Sequence, residues 1–124
     1  MNTEAGKGAP ARTVLVVEDE ALVREVLCDD LREAGYLVDE AERGDDAIAA
    51  LQRGFDVLLT DIRLPGRLTG WDVAEAARRA TPDIQVIYMT GYTPDAPRQV
   101  AGSQLISKPC TGSEIVALMQ RSAA

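Results

Sequence analysis

At 124 residues, 46% hydrophobic and 27% charged, the chain has the size of one ordinary globular domain with a substantial core and no room for a second. A net charge of −7 disfavours nucleic-acid backbones and anionic membrane surfaces as direct ligands, and no stretch approaches the ~20 apolar residues of a membrane span. The absence of histidine excludes His-ligated metal centres, Ser-His or Cys-His catalytic pairs and service as a phosphohistidine carrier. The start of the chain lacks the apolar core of a signal peptide, so the expected location is cytoplasmic. Cys28 and Cys110 lie outside any CxxC spacing and are expected there as reduced thiols.

Residues 1–12 carry Gly, Ala, Lys, Pro and Thr without apolar periodicity and read as a disordered leader, leaving 13–124 as the folded domain. Structure is expected to begin with a buried strand over 13–17 (TVLVV), whose β-branched run favours the extended conformation. Val23, Val26, Leu27 and Leu31 then recur at helical spacing over 20–34, closed by Gly35. A second strand over 37–41 and a second helix over 45–52, closed by Gly54, repeat the pattern. Residues 56–60 (DVLLT) form a third strand, apolar throughout its middle as a central parallel strand covered on both faces requires.

Thr69 with Asp72 three residues later resembles a capping box opening a third helix that runs to Ala80. Strand four is expected over 84–89 and strand five over 104–107, and Thr111 with Glu114 caps the last helix. Between strands four and five, Thr93-Pro94 starts a helix well, but Pro97 and Gly102 cut it short, so a fourth helix is expected to be short or poorly formed. Alternating strands and helices with short links argue for an open α/β parallel sheet covered on both sides, in the flavodoxin-like doubly wound order 2-1-3-4-5.

In such a sheet the carboxyl ends of the strands converge on one crevice. Here those ends carry Glu18-Asp19, Asp61, Thr90 and Lys108-Pro109. Taken singly, each has an ordinary reading as a helix N-cap or loop punctuation. With each residue type at roughly 5–10% background, all five meeting at successive strand ends by chance is on the order of 10⁻⁵ to 10⁻⁶.

Magnesium takes hard oxygen ligands, one or two of them carboxylates. Asp19 and Asp61 supply these, Glu18 adds a ligand directly or through water, and the Arg63 backbone carbonyl offers a neutral oxygen. Three crowded carboxylates raise at least one pKa unless a cation sits among them, and Mg²⁺ and Lys108 are the candidates for it. Asp61 is the candidate phosphoacceptor, since a carboxylate can form an aspartyl-phosphate when the transferred charge is neutralised. Lys108 would pair with one phosphoryl oxygen and the Thr90 hydroxyl with another. An X-Pro bond adopts cis at little cost, and a cis Lys108-Pro109 bond would aim the lysine inward.

The ordered set Glu18-Asp19, Asp61 with Pro65, Thr90 and Lys108-Pro109 resembles the receiver domain of two-component response regulators over residues 13–122. The resemblance implies that Asp61 is phosphorylated from a histidine kinase or histidine phosphotransfer protein, that Glu18 and Asp19 bind Mg²⁺, and that Thr90 and Lys108 read the phosphoryl group. It further implies a cytoplasmic signalling protein that acts on a downstream protein target and catalyses only its own phosphorylation and dephosphorylation. Leu105 occupies the position of the family's usual switch aromatic. The run Tyr88-Met89-Thr90-Gly91-Tyr92 resembles a subgroup with a Phe-Ala-Thr-Gly-X-Tyr motif, in which Tyr92 would replace that aromatic; simple packing of Tyr92 is the alternative.

The segment IRLPGRLTG reaches its glycine one residue later than is usual, and the interval from Thr90 to Lys108 is shorter by about a helical turn. Leu22, beside the acidic pair on helix one, marks a kinase-docking face. A stand-alone regulator is the leading expectation, with a phosphate sink, a relay intermediate or a hybrid-kinase receiver as alternatives. A haloacid-dehalogenase-type phosphatase would need a DxD pair after strand one, where Glu18-Asp19-Glu20 stands, and flavin binding would need a phosphate loop there.

Overall fold

A computed structural model describes residues 11–91 and 98–123. In chain order the elements are β1 (Thr13–Val17), α1 (Ala21–Glu33), β2 (Leu37–Ala41), α2 (Gly44–Leu51), β3 (Val57–Asp61), α3 (Gly70–Ala80), β4 (Gln85–Thr90), β5 (Gln104–Ser107) and α4 (Gly112–Ala123). All strand pairs are parallel, and the sheet order is β2-β1-β3-β4-β5. This is the doubly wound, flavodoxin-like arrangement expected from the alternation of elements.

Strand alternation divides the interior into two cores. Leu15, Val17, Leu58, Val86 and Tyr88 face α2 and α3, packing with Leu51, Trp71, Val73 and Ala77. Val14, Val16, Leu59, Ile87 and Met89 face the other way, onto Leu27, Leu31, Ile115 and Met119 of α1 and α4. Both faces of β1, β3 and β4 are therefore covered, which explains why their sequences read as continuous apolar runs.

The helix boundaries follow local chemistry. Gly35, at φ 102°, closes α1 and donates its N–H to the Arg32 carbonyl, a left-handed stop suited to glycine. The expected capping box at Thr69 is present: Asp72 donates its backbone N–H to Thr69 Oγ1, and the Thr69 N–H returns to Asp72 Oδ2 at 2.8 Å. Thr111 and Glu114 form the equivalent pair at the start of α4.

Several boundaries, at both ends of α1, α2, β3 and β4, differ by one residue from those read in the sequence. β3 runs to Asp61 and β4 to Thr90, so both residues belong to their strands, with Asp61 opposite Met89 and Thr90 opposite Ser107. α2 starts at Gly44 rather than Asp45, where a Cβ would press against Leu68. Between β4 and β5 the described residues 98–103 hold no helix. Thr93, Pro94 and Pro97, on which the short fourth helix was expected, lie outside the described residues, as do residues 1–10 of the leader.

Candidate functional site

Glu18 and Asp19 follow β1, and their two side chains have opposite surroundings. Glu18 is fully buried, and both of its carboxylate oxygens are engaged. Oε2 accepts the Glu20 backbone N–H at 3.0 Å, just before α1, while Oε1 accepts from Lys108 Nζ at 3.2 Å. The N-cap of α1 is Glu20 and carries no side-chain cap, so the Glu18 carboxylate holds the residue that opens the helix and serves the site at the same time. Asp19 is exposed and opens toward solvent.

Asp61 ends the central strand and is only 4% exposed. Lys108 Nζ donates to its Oδ1 at 3.0 Å, so the lysine bridges both buried carboxylates. One oxygen from each of Glu18, Asp19 and Asp61 lies within 4.8 Å of the others, a donor set suited to a hard divalent cation. Burial, reinforced by the hydrogen bond and charge of Glu18, pushes the Asp61 pKa up to about 7 despite the opposing effect of Lys108. Burial works to lower the Lys108 ammonium, but its bonds and attraction to Asp61 and Glu18 outweigh that and hold it above its ordinary value. Burial is the larger cause of the rise at Asp61, and the neighbouring Glu18 carboxylate, the crowding inferred from sequence, acts in the same direction.

A cleft of about 440 Å³ opens over this cluster, lined by Asp19, Asp61, Arg63, Thr90, Gly91 and Lys108 among others. Thr90 enters it from the end of β4, and its carbonyl accepts the Lys108 backbone N–H at 2.8 Å, which fixes β4 and the lysine loop together. The Lys108-Pro109 peptide is cis, as the sequence reading allowed. Leu105 lies in register with Tyr88 on β5, is 39% exposed and is not among the cleft residues. Tyr92 lies outside the described residues.

Several supporting groups make contacts that the sequence does not announce. Gly70 donates to the Ile62 carbonyl at 2.7 Å, and a Cβ at Gly70 would overlap the Asp61 carbonyl oxygen and the Ile62 Cα. The start of α3 therefore rests directly on the backbone of Asp61. Trp71, the next residue, is buried, with its ring centroid 4.8 Å from that of Tyr88. The Tyr88 hydroxyl in turn accepts the Val100 N–H at 3.1 Å, pinning the segment before β5. Arg24 on α1 donates to the Glu18 carbonyl at 2.7 Å. Cys110 and Cys28 are free thiols, and burial raises both, Cys28 to about 11, so neither has the depressed pKa of a reactive cysteine.

A doubly wound parallel sheet with an acidic cluster, a hydroxyl and a lysine at its carboxyl edge defines a class of small phosphoacceptor domains. Residues 14–120 match the response regulator receiver domain, and the chain belongs to that family. It is 36% identical over 110 residues to the transcriptional regulatory protein ResD of Bacillus subtilis, covering 83% of this chain and 44% of ResD. It is 33% identical over 106 residues to the response regulator receiver protein CpdR of Brucella abortus, covering 79% of this chain and 85% of CpdR. The chain thus spans less than half of the first relative and most of the second. Among solved structures, a response regulator receiver protein from Sinorhizobium medicae aligns with TM-score 0.84 and 31% identity, over 90% of this chain and 94% of that one. The receiver domain of the hybrid histidine kinase CckA aligns with TM-score 0.79 and 27% identity, over 90% and 99% respectively. The protein is a phosphoacceptor module of two-component signalling. Among the described residues no helix is long and apolar enough to cross a membrane.

Proposed function

We propose that the protein is a Mg²⁺-dependent response regulator that accepts a phosphoryl group on Asp61 from a histidine kinase or histidine phosphotransfer protein and signals by phosphorylation-dependent protein binding. The observation that carries this reading is the placement of Asp61: buried at the end of the central strand, bonded to Lys108 and within ligand distance of Glu18 and Asp19. Asp61 in its ionised form attacks phosphorus, a P–O bond forms, the P–N bond to the donor imidazole breaks, and the electron pair leaves with the imidazole.

The residues present fit Mg²⁺. Asp19 and Asp61 are the direct carboxylate candidates, and Arg63 lines the cleft where its carbonyl would contribute. Glu18, with both oxygens already engaged by protein donors, is better suited to act through water than as a primary ligand. Bound there, the ion would neutralise the acidic cluster and the incoming phosphoryl oxygens. A receiver domain of the sensor kinase PA1611 from Pseudomonas aeruginosa, 26% identical, has been solved with magnesium coordinated in its active site cleft. Lys108 and Thr90 would then donate to the phosphoryl oxygens, with Tyr92 and Leu105 as switch positions.

A groove of about 570 Å³ beside the cleft is lined by Leu22, Val23 and Val26 of α1 and by Met89, Pro109 and Cys110. Leu22 and Val26 are 77% and 59% exposed, and Lys108 sits at the same groove, so a helix laid there would reach the phosphorylation site. This is the face we assign to the histidine-bearing donor. A cytoplasmic location follows from the nature of that donor. The similarity to the CckA receiver favours a hybrid-kinase receiver as the second reading.

Incubation with acetyl phosphate, with and without Mg²⁺, tests the chemistry by intact-protein mass. The expected result is a Mg²⁺-dependent gain of one phosphoryl group in wild type and none in Asp61→Asn. Gain in the variant would overturn the assignment of Asp61.

A further inference from the structure

We infer that Arg24 is a positioning residue for the metal-binding acidic pair, an inference that rests on the Mg²⁺ reading above. Its guanidinium makes two bonds from one side chain that is 18% exposed. Nη1 donates to the Glu18 carbonyl at 2.7 Å, and Nε donates to Glu40 Oε1 at 3.1 Å. Glu40 is itself held by Arg32, whose Nη2 lies 3.4 Å from its other oxygen. The Glu18 carbonyl belongs to the same peptide unit as the Asp19 N–H, so Arg24 sets the orientation of the plane from which Asp19 projects.

The opposite end of Glu18 is fixed independently. Its backbone N–H donates to the carbonyl of Ala41, the last residue of β2, at 3.1 Å. Glu18 is therefore clamped at its amide by β2, at its carbonyl by α1, and at its carboxylate by Glu20 and Lys108. Of the three carboxylates in the cluster, Asp19 alone is exposed, and it has no such clamps on its side chain among the bonds of the described residues. Its direction is inherited from the Glu18 backbone. A planar guanidinium suits this role because its fork presents separate nitrogens to two acceptors in a fixed plane, whereas the donors of an ammonium all radiate from one rotating nitrogen. Groups behind metal ligands in this way typically change metal affinity by 10–100-fold when removed.

The sign of the effect separates positioning from simple charge. Arg24 is a cation near an acidic site, so if only its charge mattered, removing it would tighten Mg²⁺ binding. Positioning predicts weaker binding. Mg²⁺ titrations followed by backbone amide chemical shifts would be run on wild type, Arg24→Met, Arg24→Lys and Glu40→Leu, with thermal unfolding of each as a control. The expected result is a Kd for Mg²⁺ raised about tenfold in Arg24→Met, with a smaller rise in Arg24→Lys and Glu40→Leu. In the metal-free proteins the Asp19 amide nitrogen should shift in Arg24→Met, because the carbonyl of its own peptide unit has lost its donor. Unchanged or tighter Mg²⁺ binding in folded Arg24→Met would overturn the inference while leaving the metal site intact. If Arg24→Met does not fold, an unchanged Kd in Glu40→Leu would do the same. No Mg²⁺-dependent shift in wild type would instead remove the metal reading, and this inference with it.

Discussion

Asp61 is the residue at which geometry and charge conflict most. It is nearly inaccessible, it adjoins another buried carboxylate, and one lysine serves both. Its folded-state pKa of about 7 lies above the ordinary value of 3.8, so the folded protein holds a proton there that the unfolded chain releases. The stability contributed by that proton is fully present below pH 3.8 and is lost as pH rises toward 7. Metal-free Asp61→Asn should therefore lack this loss and melt higher than wild type at pH 8, by about 5 °C for each kcal/mol relieved. Saturating Mg²⁺ should narrow the gap, because the ion stabilises only wild type. Equal melting temperatures without metal would show that Lys108 already neutralises the cluster. Lys108→Ala should still accept phosphoryl from acetyl phosphate, more slowly, but without the shifts at Thr90 and β5 expected of phosphorylated wild type. A full set of shifts in the variant would remove Lys108 from signalling.

Among the elements, α3 is the one most closely tied to the chemistry. Its N-cap, Thr69, immediately precedes Gly70, whose missing side chain lets the helix start lie against the Asp61 carbonyl. Gly70→Ala forces a Cβ into two backbone groups that cannot rotate away, so the clash must move the strand end or the helix. Overpacking of this kind costs about 1–3 kcal/mol, and denaturant unfolding should show a lower midpoint together with slower phosphorylation. Normal phosphorylation in a destabilised variant would separate the packing from the site. At the edge of the sheet, Arg32 of α1 donates to the Val38 carbonyl at 3.1 Å, occupying an outward-facing acceptor of β2. Covering such groups limits strand-to-strand association between molecules.

Across the whole molecule, the residues legible in the sequence were those whose type is unusual for its place. Apolar runs of β-branched residues located β1, β3 and β4, and acidic or basic residues at their ends located the site. The order of elements put Glu18, Asp61 and Lys108 at the carboxyl ends of β1, β3 and β5, and the structure brings the lysine within hydrogen-bond reach of both carboxylates. What stayed hidden were contacts made by residues of ordinary type. An arginine on a helix, such as Arg24, looks like any solvated charge until its reach to the Glu18 carbonyl is seen. Gly70 reads as part of a turn, and nothing in its neighbours announces that Asp61 lies against it. Tyr88 reads as strand filling, although its hydroxyl holds Val100. The groove proposed for the donor, by contrast, is lined by Leu22, the residue singled out in the sequence. Leu22→Glu should slow phosphoryl transfer from a cognate donor protein, with the rate from acetyl phosphate unchanged. Parallel loss in both assays would place Leu22 in the chemistry instead of in recognition.

The chain contains a single tryptophan, and its position gives the protein a native optical reporter. Trp71 follows the glycine that touches Asp61 and lies against Tyr88, whose hydroxyl reaches the segment leading into β5. An indole at that joint is one residue from the helix start that lies on the Asp61 backbone and is packed against Tyr88 of β4. Its emission would follow ion binding, phosphoryl gain and phosphoryl loss in real time, on the unmodified protein and without a label.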